Sequence, residues 1–556
     1  MHRSSRIVAA CAATSFILTA CSPTDESAES TAPESSTSST ASAGSEAPSA
    51  GGTLIYASGD AEPTCLDPHV GGNYPQALVS SLYLETLFTQ DPTGKTVPYL
   101  AESSEVSDDG LTHTITVREG ITFHDGTPLT AEAVKANIEH LQDPDTKSST
   151  GYLAVSSVES VEVTDEMTAV LHLSVPDNAL EESLSQLWTA IQSPTALERD
   201  LETNCGSPVG TGPFQVESWE RQQAINVVAY EDYVAADDPD GDAPYLDGIT
   251  WRFIPEAATR YAALQSGEVD VIDNAQPDTI KAATDSDQFG HLDAPRPGAS
   301  NRLEFNSSKP PFDDPLVREA FIRAVDVDSG IDSLFFGTAQ RSYSLLSSVE
   351  NLGVSREDLF FHDPDKANEL LDEAGWEMGG DGVRVKDGER LEIILPVSTN
   401  QSVPAEQSLF EQFQAQAGEV GFDMKIELLD LSSWYGALGE HNYNLVSAPY
   451  TKVGPAVLRI LFHSDSTKPA PSGYFANHAM VVDDEIDQLL VDAEETSDPA
   501  ERADLYEKAQ NKVLEGYYVL PLYDQQNHFL YRTEVESMGA ITPVATPLYT
   551  LVHLKK

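Results

Sequence analysis

The chain has 556 residues, 40% of them hydrophobic, enough for a large core and, at roughly 100–200 residues per domain, two to four domains. Its 90 acidic against 32 basic residues leave a formal net charge of −58. That excludes the basic patches that nucleic-acid recognition needs. It suits a soluble, self-repelling surface and does not by itself imply a cationic ligand.

The first residues read as an export signal. Arg3 and Arg6 precede an apolar run from Ile7 to Ala20 that is too short to span a bilayer. The run ends Leu18-Thr19-Ala20-Cys21, which resembles a lipobox and implies cleavage before Cys21 and a lipid on its thiol. The alternative is an ordinary signal peptide cut near Ala20. Residues 1–20 are therefore taken as signal and 21–52 as a tether. From Ser22 to Gly52 no apolar residue is larger than Ala, so the stretch cannot bury a core. Of the four Cys, Cys11 and Cys21 fall in this leader, leaving Cys65 and Cys205. Outside the cytoplasm two leftover thiols pair, and they have neither a CxxC neighbour nor a metal-ligand spacing. Closing a loop of that length stabilises by at most about 5 kcal/mol in the chain-entropy model.

Folded structure begins with the strand Thr53-Leu54-Ile55-Tyr56, followed by Leu66-Asp67-Pro68-His69 and Gly71-Gly72-Asn73-Tyr74. Ala77 to Phe88 has helical spacing. Asp108-Asp109-Gly110 makes a turn, and Leu111, His113, Ile115 and Val117 alternate with polar residues as a half-buried strand. After turns at Glu119-Gly120 and His124-Asp125-Gly126, Thr130 is placed to N-cap a helix carrying Ala131, Val134 and Ile138 on one face.

The string from Ala101 to Val134, with its SDDGLTHTITVREGITFHDGTPLTAEAV core, resembles the extracytoplasmic solute-binding proteins of the peptide and nickel ABC importers, family 5. Later segments extend the resemblance: Pro208-Val209-Gly210-Thr211-Gly212-Pro213-Phe214, Ser266-Gly267-Glu268-Val269-Asp270-Val271, and Pro311-Phe312-Asp313-Asp314-Pro315. The glycine-rich string has no Lys-Ser/Thr and leads into a strand rather than a helix, so it is not a phosphate loop. Asp237 to Gly248 is acidic, but Ala243 stands where a calcium loop needs Gly.

Between these motifs, hairpin strands are expected at 158–163 and 168–173, a short helix at 180–187, strands at 214–219 and 249–254, and a helix at 257–266. Arg302 to Asn306 is a strand on which Arg302 and Glu304 share a face and can pair. Asp314-Pro315 and Asp363-Pro364 start helices by the same N-cap and N1-proline signal. Strands at 391–395, 423–429 and 517–523 and helices at 406–417 and 500–514 complete an α/β chain.

The resemblance implies a two-lobe periplasmic-binding-protein-like fold of type II, with a hinge and a central cleft. Lobe I spans 53–303 with an inserted subdomain at about 77–205, lobe II spans 304–514, and 515–556 return to lobe I. It also implies the ligand-binding positions: Asn73 and Tyr74 after the first strand, Tyr152, Trp188, Asn301 at the hinge, and Trp434, Tyr450, Thr451 and Lys452 in lobe II. The implied function is capture of a peptide or peptide-like solute for an ABC permease and ATPase complex, by a monomer tied to the outer face of the cytoplasmic membrane through Cys21. Metal-chelate uptake and solute sensing are the alternatives. No HExxH, GxSxG or Walker A motif is present, and the 13 His show no ligand spacing. No catalytic residue, metal or cofactor is expected. The chain departs from its relatives at 447–455: binders of free dipeptides hold the ligand ammonium with an Asp there, whereas this stretch carries no acid and one cation, Lys452. Ligands rich in carboxylate are therefore expected if Lys452 faces the cleft. If Lys452 instead points to solvent, an acid elsewhere supplies the ammonium anchor.

Overall fold

The computed structural model describes residues 50–91, 93–236, 241, 243–286, 288–399, 402–447, 449–539 and 541–555. The signal, Cys21 and most of the tether lie outside them, as do residues 237–240 and 242 of the 237–248 connection. Among the described residues no helix is long and apolar enough to cross a membrane.

The first lobe is built on a seven-stranded sheet. Its order is Phe289–Pro295, Gln526–Arg532, Val271–Ile272, Thr53–Ser58, Gly248–Phe253, Ala224–Ala229, Phe214–Glu220. The strand Thr53–Ser58 lies parallel to both of its neighbours. A parallel central strand is covered on both faces, and Leu54, Tyr56 and Ala57 are fully buried. Tyr56 pairs with Trp251 across the ladder, and their rings stack with centroids 3.7 Å apart.

A four-stranded antiparallel sheet in the order Ala101–Val106, Thr112–Val117, Thr168–Leu173, Val158–Val163 forms the inserted layer. Alternation holds there: His113, Ile115 and Val117 are buried and the intervening threonines half-exposed. The helix Ala131–Gln142 packs on this sheet. Thr130 occupies its N-cap position, but the hydroxyl makes no capping bond.

Two helices are shorter than their periodicity predicts. The helix expected over 77–88 runs only over Tyr74–Ser80, and the chain then turns into the strand Phe88–Gln90. The glycine-rich string supplies the cause. Gly212 N–H donates to the Tyr83 carbonyl at 3.3 Å and Phe214 N–H to the Leu82 carbonyl at 3.1 Å. The carbonyls that a longer helix would use are thus bound by a second segment. A Cβ on Gly210 would stand 2.0 Å from the Tyr83 oxygen, and one on Gly212 2.7 Å from its carbonyl carbon. Close backbone approach, not positive φ, is what these glycines provide. Likewise the expected 180–187 helix stops at Ser183, and a 3-10 turn over Leu187–Thr189 presents Trp188. Cys65 and Cys205 are disulfide-bonded, with Cα atoms 4.4 Å apart.

The second lobe packs the helices Pro315–Ala324, Pro364–Glu373, Pro404–Glu419, Asp484–Glu495 and Pro499–Glu515 around the parallel strands Glu392–Ser398 and Asp423–Leu429. Asp314 and Asp363 cap as expected, accepting from Leu316 N–H and Lys366 N–H. The strand Asn301–Phe305 is wholly buried between Leu445–Ser447 and Val519–Tyr523. On it Arg302 and Glu304 form a fully buried ion pair at 2.5 Å. Val519, Leu520 and Leu522 sink into the second lobe's core, so the chain regains the first lobe's sheet at Gln526 rather than near 515. The outward and return connections run side by side, with Arg296 N–H donating to the Gln525 carbonyl at 2.9 Å.

Candidate functional site

Between the lobes lies a cavity of about 750 Å³ whose walls come from both. Asn73, Tyr74, Trp188, Tyr450 and Thr451 line it; Tyr152, Asn301, Trp434 and Lys452 do not.

The first wall starts with a capping box. Asn73 accepts from Gln76 N–H at 3.1 Å, and Gln76 accepts from Asn73 N–H at 3.0 Å. The Asn73 side chain is therefore committed to the helix start, while its carbonyl accepts from Trp188 Nε1–H at 3.1 Å. Next to it the Tyr74 hydroxyl donates to the carbonyls of Val544 and Ala545, each at 3.1 Å. The Arg296 guanidinium lies over the Tyr74 ring, 3.8 Å from its centroid. Arg296 Nε–H donates to Thr451 Oγ1 at 2.7 Å, a hydrogen bond from one lobe to the other.

Two carboxylates and a second arginine share this wall. Asp273 accepts from the Tyr56 hydroxyl (2.8 Å), the Ser58 hydroxyl (2.7 Å) and Gly59 N–H (2.6 Å). Arg260 donates to the carbonyls of Asp273, Ile254 and Asn274. Both are spent on the protein. Asp60 accepts from Asn274 Nδ2–H at 2.9 Å on one oxygen. Its other oxygen and both terminal nitrogens of Arg296 make no hydrogen bond among the described residues. Burial and the neighbouring Asp273 charge push the Asp60 carboxyl up to about 7, with Arg296 and the Asn274 bond acting the other way. Burial lowers the Arg296 pKa, opposed by Tyr74 and Asp60.

The second lobe contributes rings. Tyr435, Tyr450, Tyr474 and Phe475 line the opposite wall, and Tyr435 and Tyr474 meet edge to face at 6.0 Å.

The remaining expected positions lie elsewhere. Tyr152 is half-buried on the short helix Thr150–Ala154, from which Thr150 reaches the cavity instead. Trp434 packs in a satellite core with Leu438, Tyr443 and Phe475, and its Nε1–H donates to the Pro396 carbonyl at 3.3 Å. Asn301 donates to Glu406 at 2.5 Å and borders a smaller cavity of about 120 Å³. Lys452 is buried outside the large cavity, where Nζ donates to Ser183 Oγ at 2.7 Å. Burial lowers its pKa, while Asp177, Glu182, Glu494 and Glu350 act to raise it. Sequence reasoning missed Asp60 and Arg296. The available signals were an acid just past the end of a central parallel strand, where α/β ligands bind, and an arginine framed by Pro295 and Pro297 in the connection between lobes.

A cleft walled by two α/β lobes that touch across it defines a two-lobe solute-binding protein. The model of "Bacterial extracellular solute-binding proteins, family 5 Middle" matches residues 95–467, and the chain belongs to that family. The glutathione-binding protein GsiB of Shigella flexneri is 30% identical over 469 residues, covering 83% of this chain and 86% of that protein. The fold matches DppA from Helicobacter pylori in complex with the peptide STSA, with a TM-score of 0.80 and 23% identity over 91% of this chain and 99% of that one. It also matches AgaA from A. tumefaciens R10 in complex with agropinic acid, with a TM-score of 0.77 and 25% identity over the same shares. The chain is the substrate-binding component of an ABC importer.

Proposed function

We propose that the cleft captures a zwitterionic, peptide-like solute, with its carboxylate on Arg296 and its ammonium on Asp60. The observation that carries this reading is the pair of uncommitted charges of opposite sign on one wall. Both groups are half-buried, and a ligand that covers them must replace the water they lose; a guanidinium fork takes a carboxylate by two parallel hydrogen bonds. The rings of Tyr435, Tyr450 and Tyr474 supply flat apolar surface for side chains. A volume of about 750 Å³ suits a short peptide. The similarity to a glutathione-binding protein supports the reading, since glutathione is a tripeptide richer in carboxylate than in ammonium. We read the protein as a monomeric receptor that returns its solute intact, held through a lipid on Cys21 at the outer face of the cytoplasmic membrane.

A thermal-shift panel tests the ligand class. Ligand at about 100 times its Kd adds roughly 2.7 kcal/mol, worth about 2–3 °C for a chain this long. Free tripeptides and glutathione should raise the midpoint, and N-acetylated or C-amidated analogues should not. Equal shifts from the capped analogues would sink the charge-pair reading.

A further inference from the structure

At the edge of the first lobe's sheet, the strands Phe289–Pro295 and Gln526–Arg532 pair so that Asp293 stands opposite His528. His291 lies two residues before Asp293, on the same face of the strand. His528 Nδ1 is 3.1 Å from His291 Nε2 and 3.2 Å from an Asp293 oxygen. All three donor atoms fall within 4.8 Å of one another.

With His528 neutral, the hydrogens do not suffice for these contacts. His528 Nε2 faces the Thr338 carbonyl at 2.9 Å, and a carbonyl only accepts, so that nitrogen carries the hydrogen. The neutral ring then presents a lone pair at Nδ1. His291 Nε2–H can donate to it, but the Asp293 carboxylate still meets a lone pair with nothing between them. A cation among the three atoms satisfies all of them at once.

We propose that His291, Asp293 and His528 form a site for a borderline divalent transition metal of the Zn²⁺ type. Three features support it. Tetrahedral ligands at zinc distances of 2.0–2.1 Å stand about 3.3 Å apart, close to the separations at His528 Nδ1. A metal-bound histidine almost always donates its other N–H to a carbonyl or carboxylate, as His528 does to Thr338. Asp293 is 49% exposed, so a fourth position is open to water. The other three-ligand histidine–carboxylate cluster among the described residues, Asp67 with His69 and His140, has no such vacancy. The Asp67 oxygens already accept from His69 N–H, Gln192, Asn204 and His140, and His69 Nε2 is bound to the Ala190 carbonyl. Because Thr338 belongs to the second lobe, an ion on Nδ1 orients the ring that joins the lobes beside the cleft.

The test uses the full chain, stripped with chelator and titrated with Zn²⁺ alone by calorimetry, with Co²⁺ as a spectroscopic substitute. One equivalent should bind, with visible bands of tetrahedral cobalt. His291→Ala and Asp293→Asn should each weaken binding at least tenfold while keeping the metal-free melting point. Absence of saturable binding would overturn the site. So would stoichiometric binding that survives both substitutions, or that is lost in His140→Gln instead.

Discussion

Replacing Arg296 by Gln removes a charge that the cleft uses in three ways. The guanidinium stacks on Tyr74 at 3.8 Å, an interaction worth about 0.5–2 kcal/mol. It bonds Thr451 across the lobes at 2.7 Å, worth about 1.5–3 kcal/mol for a charged donor. In the proposed binding mode it also supplies the counter-charge to the solute's carboxylate. Truncating one member of a desolvated charge pair costs about 2–5 kcal/mol. Arg296 is only half-buried before solute arrives, so the lower end applies, and affinity should fall at least about thirtyfold. A further consequence lies at Asp60. Arg296 is the first of the groups that lower the Asp60 pKa, so its loss drives that carboxyl above about 7 and neutralises the ammonium anchor as well. Arg296→Lys keeps the charge but not the fork, and should lose about tenfold. Calorimetry with a free tripeptide and with its C-amidated form reads both effects. If Arg296→Gln binds the free tripeptide within threefold of wild type, or loses equally for both forms, the assignment is refuted.

At Asp60, below about pH 7 the solute-free carboxyl holds a proton that an ammonium ligand must expel. Affinity for free peptides should therefore fall as pH drops from 8 to 5, approaching tenfold per pH unit; Asp60→Asn should flatten that profile, and a flat wild-type profile would contradict it. Gly212→Ala forces a Cβ to 2.7 Å from the Tyr83 carbonyl carbon, so urea unfolding should show a loss of about 1–3 kcal/mol, whereas an unchanged midpoint would show that the two segments can part freely. Replacing Cys65 and Cys205 together by Ser should cost about 2–5 kcal/mol, read as a lowered melting point of the oxidised protein; no change would mean that the bond constrains nothing.

The sequence was most legible where structure follows from local pattern. Alternation located the Thr112–Val117 strand, and the Asp-Pro pairs at 314–315 and 363–364 located two helix starts. It failed where a distant segment decides. Nothing between Ala77 and Phe88 announces that its carbonyls belong to Gly212 and Phe214. The aromatic positions were less legible because neighbours on one element differ in direction: Trp434 turns into a core while Tyr435 faces the cleft.

Lys452 shows the same limit in electrostatic form. The stretch from Ser447 to Pro455 carries no acid, which read locally makes Lys452 a lone cation available to a solute. In the fold its partners come from far along the chain. Burial pushes the Glu182 and Glu494 carboxyls up to about 7 and about 8, with Asp177 acting the same way and the Lys452 charge lowering both, while Lys452 bonds Ser183 in the first lobe. The lysine thus bonds across the lobes and does not line the large cavity. Of the charges on the first lobe's wall, Asp60 and Arg296 keep polar atoms without a hydrogen bond among the described residues, and the second lobe adds rings and Thr451. In the proposed binding mode the first lobe selects the solute by charge, while Thr451 on Arg296 and the tyrosine rings let the second lobe discriminate by shape.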